Sequence, residues 1–303
     1  MSAPLLEEVF KTSGVPTFTF VEPSEYTRLL VGLRTPGRGV VIEGPSGIGK
    51  TSAVETALKQ LKLGNAVTKL SARRSTDIEY IETLPSIGNV GLVIVDDFHK
   101  LPDATRGLLA DYMKILADEE SKTTKIVVVG INKAGENLIS LAHDLVNRID
   151  VIPFEANPND RVRQVVTSGA AALNVDINVE DEIVIAAQGS FYIAQMLAFE
   201  VCQRVGVLER QDLKKTIEVS FQSVSADVQE RLAQVFRGRC EKFCRGTRNR
   251  KEGRAPYLHI LRWLAEGKEW TLSLRDAIRQ HPDMRGSVGQ VVDRRIPRDA
   301  DHI

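Results

Sequence analysis

The segment Gly44–Ser52 has the composition and spacing of a loop that wraps around a phosphate. It reads Gly44-Pro45-Ser46-Gly47-Ile48-Gly49-Lys50-Thr51-Ser52, which fills every required position of the pattern G-x-x-x-x-G-K-[ST]. Glycines allow the backbone to approach a phosphate closely, with its amides pointing inward at a helix N-terminus. Lys50 supplies a charge to the β- and γ-phosphates, and the Thr51 hydroxyl is suited to bind Mg²⁺. The segment therefore predicts a nucleoside triphosphate site with magnesium.

A second signal is the apolar run Gly91–Val95, which ends in Asp96 and Asp97. A buried strand with acids at its tip is how a P-loop protein brings a carboxylate to the metal. Asp96 is predicted to hold Mg²⁺ through water beside Thr51. Asp97, one residue further, is predicted to orient or deprotonate the attacking water.

Two further polar residues lie at the ends of predicted strands. Asn132 follows the apolar run Lys125–Gly130, where a neutral amide could touch the γ-phosphate or the attacking water; Asn is also a common turn residue. Arg148 precedes the last strand and could reach the γ-phosphate of a neighbouring subunit, or form only a surface salt bridge. The guanine-reading pattern Asn-Lys-x-Asp is not met, because Gly135 stands at its fourth position, and this disfavours a GTPase.

Alternating strand and helix signals surround these motifs and predict a parallel α/β sheet. The predicted strands are Gly39–Glu43, Ala66–Leu70, Leu92–Asp96, Lys125–Gly130 and Ile149–Phe154. The predicted helices are Lys50–Leu61, Ser75–Thr83, Asp103–Asp118 with Asp103 as N-cap, and Leu138–Val146.

After Pro158 the pattern predicts helices only. They are Asn159–Leu173, Val179–Gln188, Phe191–Val205, Gln211–Ser220 and one near Asp227–Phe243, followed by Tyr257–Ala265, Leu272–Gln280 and Met284–Val292. We therefore expect four parts: an α/β P-loop core over residues 1–156, a helical lid over 157–225, a connecting helix and basic linker over 226–256, and a small helical domain over 257–303.

Composition limits the class of protein. Hydrophobic residues make up 43% of the sequence and charged residues 26%, as in globular proteins, and no apolar run approaches membrane-spanning length. We expect a cytoplasmic protein without a membrane partner. The zero net charge hides an asymmetry: residues 237–303 carry 16 Lys and Arg against 9 Asp and Glu, a net of +7, and the preceding residues carry 24 against 31, a net of −7. The basic end is either a solvated tail or a surface for duplex DNA.

In this order, the four motifs resemble those of the AAA+ ATPases, especially the branch of origin-recognition initiators, transposition-accessory ATPases and STAND signalling NTPases. The resemblance covers roughly residues 17–205. It implies ATP and Mg²⁺ as cofactors, Asn132 as sensor 1 and Arg148 as an arginine finger in a homo-oligomer. Residues 257–303 resemble the winged-helix domain of the same proteins, in which Arg285, Arg294, Arg295 and Arg298 could face phosphates, or which could serve only as a packing or autoinhibitory module. Ile296–Ile303 is short for a complete wing, so either the wing is minimal or the domain continues further.

Two departures from the family pattern affect the expected activity. The acidic strand ends in Asp96-Asp97, whereas most members have Asp-Glu, and the shorter second acid implies slow hydrolysis. Phe191 and Tyr192 stand where a STAND proline or a sensor-2 arginine would be, so no sensor-2 arginine is expected.

We therefore expect an α/β protein that binds ATP, hydrolyses it slowly, and uses the nucleotide state to control its conformation and self-assembly. A partner protein could act as the trigger. The alternative is a DNA-binding initiator or transposition regulator in which ATP mainly shapes the DNA-binding surface. A kinase acting on a small metabolite is disfavoured by the helical lid and by the absence of an evident arginine-rich acceptor lid.

Overall fold

The computed structural model describes residues 3–63, 67–131, 134–135, 138, 143–245, 255–266 and 272–288 of the 303-residue chain. The chain divides into two compact units, Met1–Phe221 and Gln222–Ile303. The predicted core, and the predicted lid as far as Phe221, lie in the first unit. The four predicted domain boundaries remain a prediction.

Five strands of the first unit form one parallel sheet in the order β2-β3-β4-β1-β5. They are β1 (Gly39–Glu43), β2 (Val67–Ser71), β3 (Gly91–Asp96), β4 (Thr124–Val129) and β5 (Ile149–Pro153). Each begins and ends within one residue of the predicted strand, and the predicted α/β fold class is confirmed. The carboxyl ends of all five strands meet at one edge of the sheet, which is where ligands bind in open α/β folds.

Helices cover both faces of the sheet because its strands are apolar on both sides. On β1, Val40 and Ile42 pack against helices α2 (Tyr26–Arg34) and α3 (Lys50–Gln60), whereas Val41 packs toward the opposite face. That second face is covered by helices α4 (Ser75–Ile87) and α5 (Asp103–Asp118).

The predicted cap of α5 is wrong. Asp103 is the first residue of the helix, and the N-cap is Pro102, whose backbone is extended at φ −55° and ψ 148°. The carboxylate of Asp103 forms an ion pair with Arg106 one turn further along the helix.

Three helices form the lid: α6 (Asn159–Leu173), α7 (Glu180–Ala187) and α8 (Phe191–Arg204). The predicted fourth helix, Gln211–Ser220, is wrong. Instead, β7 (Lys215–Ile217) pairs in parallel with β6 (Val175–Ile177). Ile217 is buried in this two-stranded sheet, whereas Leu213 is 84% exposed, so the apolar residues of the segment do not share one helical face.

The first residues of the chain pack on the lid rather than on the sheet. Helix α1 (Leu6–Val9) contacts α6 and α8, and the amide of Leu6 donates to the carbonyl oxygen of Leu208 at 2.8 Å. The Phe10 ring lies so close to Gly169 of α6 that an added Cβ would stand 2.2 Å from it, which explains why a glycine occupies the middle of that helix. Further along, the buried hydroxyl of Thr19 bonds to the side-chain oxygen of Gln195 on α8, at 3.0 Å.

The second unit is helical over its described residues. It contains most of α9 (Phe221–Arg245), and α10 (Pro256–Glu266) and α11 (Leu274–Gln280), with a small core of Ile260, Trp263, Ala277, Met284 and Val288. Arg285 is exposed beyond this core. The basic segment 246–254, the end of the predicted recognition helix, and Arg294, Arg295 and Arg298 lie outside the described residues. Across the described part of the chain, no helix combines the length and apolar character that crossing a membrane requires.

Candidate active site

The P-loop connects the carboxyl end of β1 to the first residue of α3. Gly44 has φ +145°, and a Cβ there would stand 2.3 Å from the carbonyl oxygen of Phe154 at the end of β5. Gly49, the N-cap of α3, is left-handed at φ +104°. Both positions require glycine, since other residues rarely adopt these conformations. The glycines of the motif thus bring the loop against the sheet and turn the chain into α3.

Lys50 begins α3 and turns back into the loop. Its ammonium donates to the carbonyl oxygens of Gly44 at 2.6 Å and Pro45 at 2.8 Å. Burial lowers the pKa of Lys50 to about 8, against the opposing effect of the nearby carboxylates of Asp96 and Asp97. The predicted lysine and the two predicted acids thus lie close enough for their charges to interact.

The two acids lie at the carboxyl edge of the sheet, at the end of β3, which is separated from β1 by β4. Asp96 is the last residue of β3, and its Oδ1 accepts a 2.7 Å hydrogen bond from the amide of Asp97. Asp97 has a left-handed backbone, φ 56° and ψ 35°, and its side chain is 13% exposed. Residues with side chains seldom adopt this conformation, and such strain often accompanies functional sites. This left-handed residue directly follows the end of β3.

Arg73 was not predicted as a site residue, yet it binds Asp97 with two hydrogen bonds. Its Nε donates to Oδ2 at 2.5 Å and its Nη2 to Oδ1 at 2.9 Å. The bond from Arg73, more than any other effect, lowers the pKa of Asp97 below its usual value. Arg73 follows β2, and β2 pairs with β3 so that Ser71 lies opposite Asp96. The strand order was the missing signal, because it makes residues just after β2 neighbours of residues just after β3.

The remaining predicted magnesium ligand, Thr51, is exposed on the first turn of α3, with Ser52 half-buried beside it. A hydroxyl and a carboxylate are oxygen ligands, which Mg²⁺ prefers, and Mg²⁺ is commonly held by one or two carboxylates together with substrate phosphates. The described residues contain no cluster of three or more His, Cys, Asp or Glu that could hold a metal without such phosphates. Thr51 and Asp96 fit magnesium that arrives with a nucleotide.

Asn132 lies outside the described residues, and its predicted role remains a prediction. The strand before it, β4, pairs with β1, and the amide of Gly130 donates to the carbonyl oxygen of Ile42 at 2.9 Å. The amide of Gly135 donates to the carboxylate of Glu43, also at 2.9 Å. Both flanks of Asn132 are thus tied to the strand that leads into the P-loop.

Arg148 lies at the opposite edge of the sheet. It precedes β5, whose first residue, Ile149, is paired with Gly39 at the start of β1. A five-residue strand is about 16 Å long, so Arg148 is that far from the P-loop of its own chain. Its Nε donates to Oδ1 of Asp118 at 2.5 Å. The arginine does not join the other site residues within one chain.

The lid contacts the P-loop through its backbone and two polar side chains. The amide of Tyr192 donates to the carbonyl oxygen of Gly47 at 3.2 Å, and the Ser190 hydroxyl donates to the same oxygen at 3.4 Å. The side-chain amide of Asn157, a buried residue, donates to the carbonyl oxygen of Ile48 at 3.4 Å. Asn157 and Ser190 were not predicted as site residues. Asn157 lies in no recognised motif, and Ser190 directly precedes the Phe191-Tyr192 pair that was compared with the lid motif of the family.

Three solved structures resemble this chain in fold. A RuvB variant of Thermotoga maritima is 15% identical with a TM-score of 0.53, and the match covers 87% of this chain and 95% of that one. The ORC2 protein of Aeropyrum pernix, in ADPNP–ADP complexes, is 15% identical with a TM-score of 0.52, covering 92% and 83%. A Walker-type ATPase of Pyrococcus abyssi is 15% identical with a TM-score of 0.55, covering 80% and 79%. No protein-family model matches the chain, and no curated protein matches its sequence.

Together, the strand order, the P-loop after β1 and the acidic end of β3 define a P-loop NTPase fold. The chain has the fold of the AAA+ P-loop ATPases, with a helical lid and a small C-terminal helical unit.

Proposed function

We propose that the protein binds and slowly hydrolyses ATP, and that its nucleotide state controls its conformation and self-assembly. One observation carries the proposal: the Lys50 ammonium lies within the P-loop and within electrostatic reach of Asp96 and Asp97. The structural neighbour solved in ADPNP–ADP complexes supports an adenine nucleotide as the ligand.

Each described site residue then has a role that its position supports, and Asn132 keeps the role predicted from the sequence. Lys50 would donate to the β- and γ-phosphate oxygens in place of its two carbonyl partners, and Thr51 and Asp96 would hold Mg²⁺. Magnesium supplies positive charge that stabilises the transferring phosphoryl group. Asp97 orients the attacking water or accepts its proton, and Asn132 contacts the γ-phosphate. Since catalysis here consists of positioning and charge stabilisation, a small displacement of Asp97 lowers the rate.

Calorimetric titration with Mg-ATP and Mg-ADP tests the proposal directly, followed by measurement of phosphate release and of particle size in each nucleotide. Uptake of both nucleotides, slow release of free phosphate and a change of size with ATP are the expected results. A folded chain that takes up neither nucleotide would overturn the proposal. Transfer of phosphate to a metabolite would replace it with a kinase.

Slow hydrolysis is supported by the Arg73–Asp97 ion pair, and also by the side chain of Asp97, which is shorter than the glutamate of most family members. Both carboxylate oxygens of Asp97 are engaged by Arg73, and the resulting low pKa makes Asp97 a weak base. A water molecule must compete with the guanidinium for the same oxygens. The contact therefore opposes the role proposed for Asp97.

Replacing Arg73 with Ala is expected to raise ATP turnover about three- to fivefold, because an ion pair with one exposed partner is worth only about that factor. The affinity for ADP should stay unchanged. Steady-state phosphate release measures the effect, and Arg74→Ala, an exposed neighbouring arginine, is the matched control. Lower turnover in Arg73→Ala would show instead that the guanidinium assists the reaction.

Self-assembly is proposed to depend on Arg148, and its distance from the P-loop of its own chain supports a contact with the nucleotide of a neighbouring subunit in place of its ion pair with Asp118. Replacing Arg148 with Ala is expected to reduce ATP-dependent assembly and to lower turnover at least tenfold, since a guanidinium in trans stabilises transition-state charge. Light scattering after size exclusion and phosphate release measure the two effects. Arg34→Ala, an exposed arginine at the end of α2, is the control. Unchanged size and turnover in Arg148→Ala would remove the trans arginine from the proposal.

The charge asymmetry supports a second candidate function, in which the basic C-terminal region binds duplex DNA and ATP mainly shapes that surface. Binding should weaken steeply with salt, because phosphate contacts release counterions. No duplex binding at about 50 mM salt, with and without ATP, would exclude it. A partner protein that triggers nucleotide exchange is compatible with either function.

A further inference from the structure

Two carbonyl oxygens of the P-loop are held by the lid. The oxygen of Gly47 accepts from the amide of Tyr192 at 3.2 Å and from the hydroxyl of Ser190 at 3.4 Å. The oxygen of Ile48 accepts from the side chain of Asn157 at 3.4 Å. In a planar trans peptide, a carbonyl and the next amide point in opposite directions. By holding these two oxygens, the lid directs the amides of Ile48 and Gly49 away from itself.

On the lid side, the donors belong to the first turn of α8 and the turn before it. Ser190 is the N-cap: its oxygen accepts from the amide of Ile193 at 3.3 Å while its proton is donated to Gly47. The amide of Tyr192 is one of the helix's first N–H groups, which have no partner inside a helix. Asn157 also donates to the carbonyl oxygen of Gly189 at 3.0 Å, so one side-chain amide ties the P-loop to this turn.

The contact between the loop and α8 is also sterically close. A Cβ added to Gly47 would stand 3.1 Å from the Cβ of Tyr192, and one added to Gly49 would stand 3.3 Å from the Phe191 ring. The loop therefore has little space to move toward the lid on its own. A displacement of the Gly47 or Ile48 peptide must be accompanied by a displacement of the first turn of α8.

We propose that the lid senses phosphate through the main-chain carbonyls of Gly47 and Ile48, with Asn157 and Ser190 as positioning residues, rather than through a charged lid side chain. The inference rests on the proposed function, because it requires nucleotide phosphate in the P-loop. Phosphate draws the Ile48 and Gly49 amides toward itself, and the carbonyls of the same peptides transmit this movement to α8. By linkage, loosening the lid contacts must weaken phosphate binding by the same factor that phosphate tightens them.

Hydrogen exchange of α8 and calorimetric affinity for Mg-ADP and Mg-ATP test this inference. In the unaltered protein, both nucleotides should change exchange in residues 191–197. Asn157→Ala and Ser190→Ala should each weaken nucleotide binding about tenfold, as expected for the loss of a bond that orients the loop, and should reduce that change. Ser190→Thr retains the hydroxyl and should restore both properties. Asn178→Ala is the matched control, because Asn178 bonds to Val219 within the lid and not to the P-loop.

The outcomes separate this inference from the proposed function. If the unaltered protein binds neither nucleotide, both fail. If it binds nucleotide while exchange in residues 191–197 stays constant, only the lid inference fails. Unchanged affinity in Ser190→Ala and Asn157→Ala would also overturn it. If Asn157→Ala does not fold, the comparison of Ser190→Ala with Ser190→Thr tests the inference alone. Hydrogen exchange measured before nucleotide is added shows whether loss of the Ser190 hydroxyl frays the start of α8.

Discussion

Replacing Lys50 with Met is expected to weaken binding of Mg-ATP about 100-fold and to leave no measurable turnover. The ammonium is placed to donate charged hydrogen bonds to two phosphate oxygens, and losing two such bonds corresponds to about this factor. The methionine keeps the apolar stem, so the start of α3 should remain folded. Calorimetry and phosphate release measure the two losses, and circular dichroism checks the fold.

Lys125 offers a matched control for this substitution. Its ammonium donates to the carbonyl oxygens of Thr35 at 2.5 Å and Arg38 at 2.7 Å, and burial lowers its pKa to about 8, as it does for Lys50. Lys125 lies near the amino edge of the sheet, away from the P-loop. Lys125→Met should therefore lower stability without changing nucleotide affinity. Equal loss of affinity in both variants would mean that the effect of Lys50 is structural.

The pKa of Lys50 also predicts the pH dependence of binding. Below pH 8 the amine already carries its proton, so Lys50 contributes no pH dependence there. Above about 8 the free protein must take up a proton to pair with phosphate, and affinity should fall by up to about tenfold per pH unit. Calorimetry at pH 9 in two buffers of different ionisation enthalpy should show this proton uptake. In Lys50→Met this part of the pH dependence should disappear.

Replacing Asp97 with Asn should leave ATP binding intact while lowering turnover about 100-fold or more, since a general base contributes at least this factor. An amide has nearly the volume of the carboxylate but accepts no proton from water at neutral pH. ATP should then persist on the protein and prolong the assembled state, which particle sizing after addition of Mg-ATP would show.

The control for Asp97→Asn is Asp103→Asn, which also removes a carboxylate paired with an arginine, at the exposed start of α5. It should leave turnover unchanged. Full turnover in Asp97→Asn would remove Asp97 from the reaction. Comparison with Arg73→Ala shows whether turnover falls because the ion pair is lost or because the carboxylate is lost. Both variants lose the ion pair, whereas only Asp97→Asn loses the carboxylate.

The sheet was predictable because each strand is an apolar run bounded by turn residues. Buried parallel strands must be apolar on both faces, and Val93–Val95 shows this in three successive residues. The P-loop was predictable for a different reason, since the positive φ angles at Gly44 and Gly49 restrict those two positions of the motif to glycine.

What the sequence did not reveal depends on contacts between distant segments. The two strands of the lid, Val175–Ile177 and Lys215–Ile217, have three residues each and are too short for a periodic signal. Arg73 becomes a neighbour of Asp97 only through the pairing of β2 with β3. Asn157 and Ser190 reach the P-loop only after the lid has folded over it, and no spacing in the sequence encodes that approach.

The packing of α1 on α6 and α8 has a practical consequence for measuring movement. A dye attached near the N-terminus, for instance through Glu7→Cys on the exposed side of α1, would travel with the lid and not with the sheet. The exposed Cys240 would first have to be removed together with the partly buried Cys244, whereas burial raises the pKa of Cys202 to about 12 and makes that thiol unreactive. With a second dye on the outer surface of α4, energy transfer between the two dyes would report the distance between lid and sheet. A bulky affinity tag next to α1 would add mass to the lid and could slow its movement.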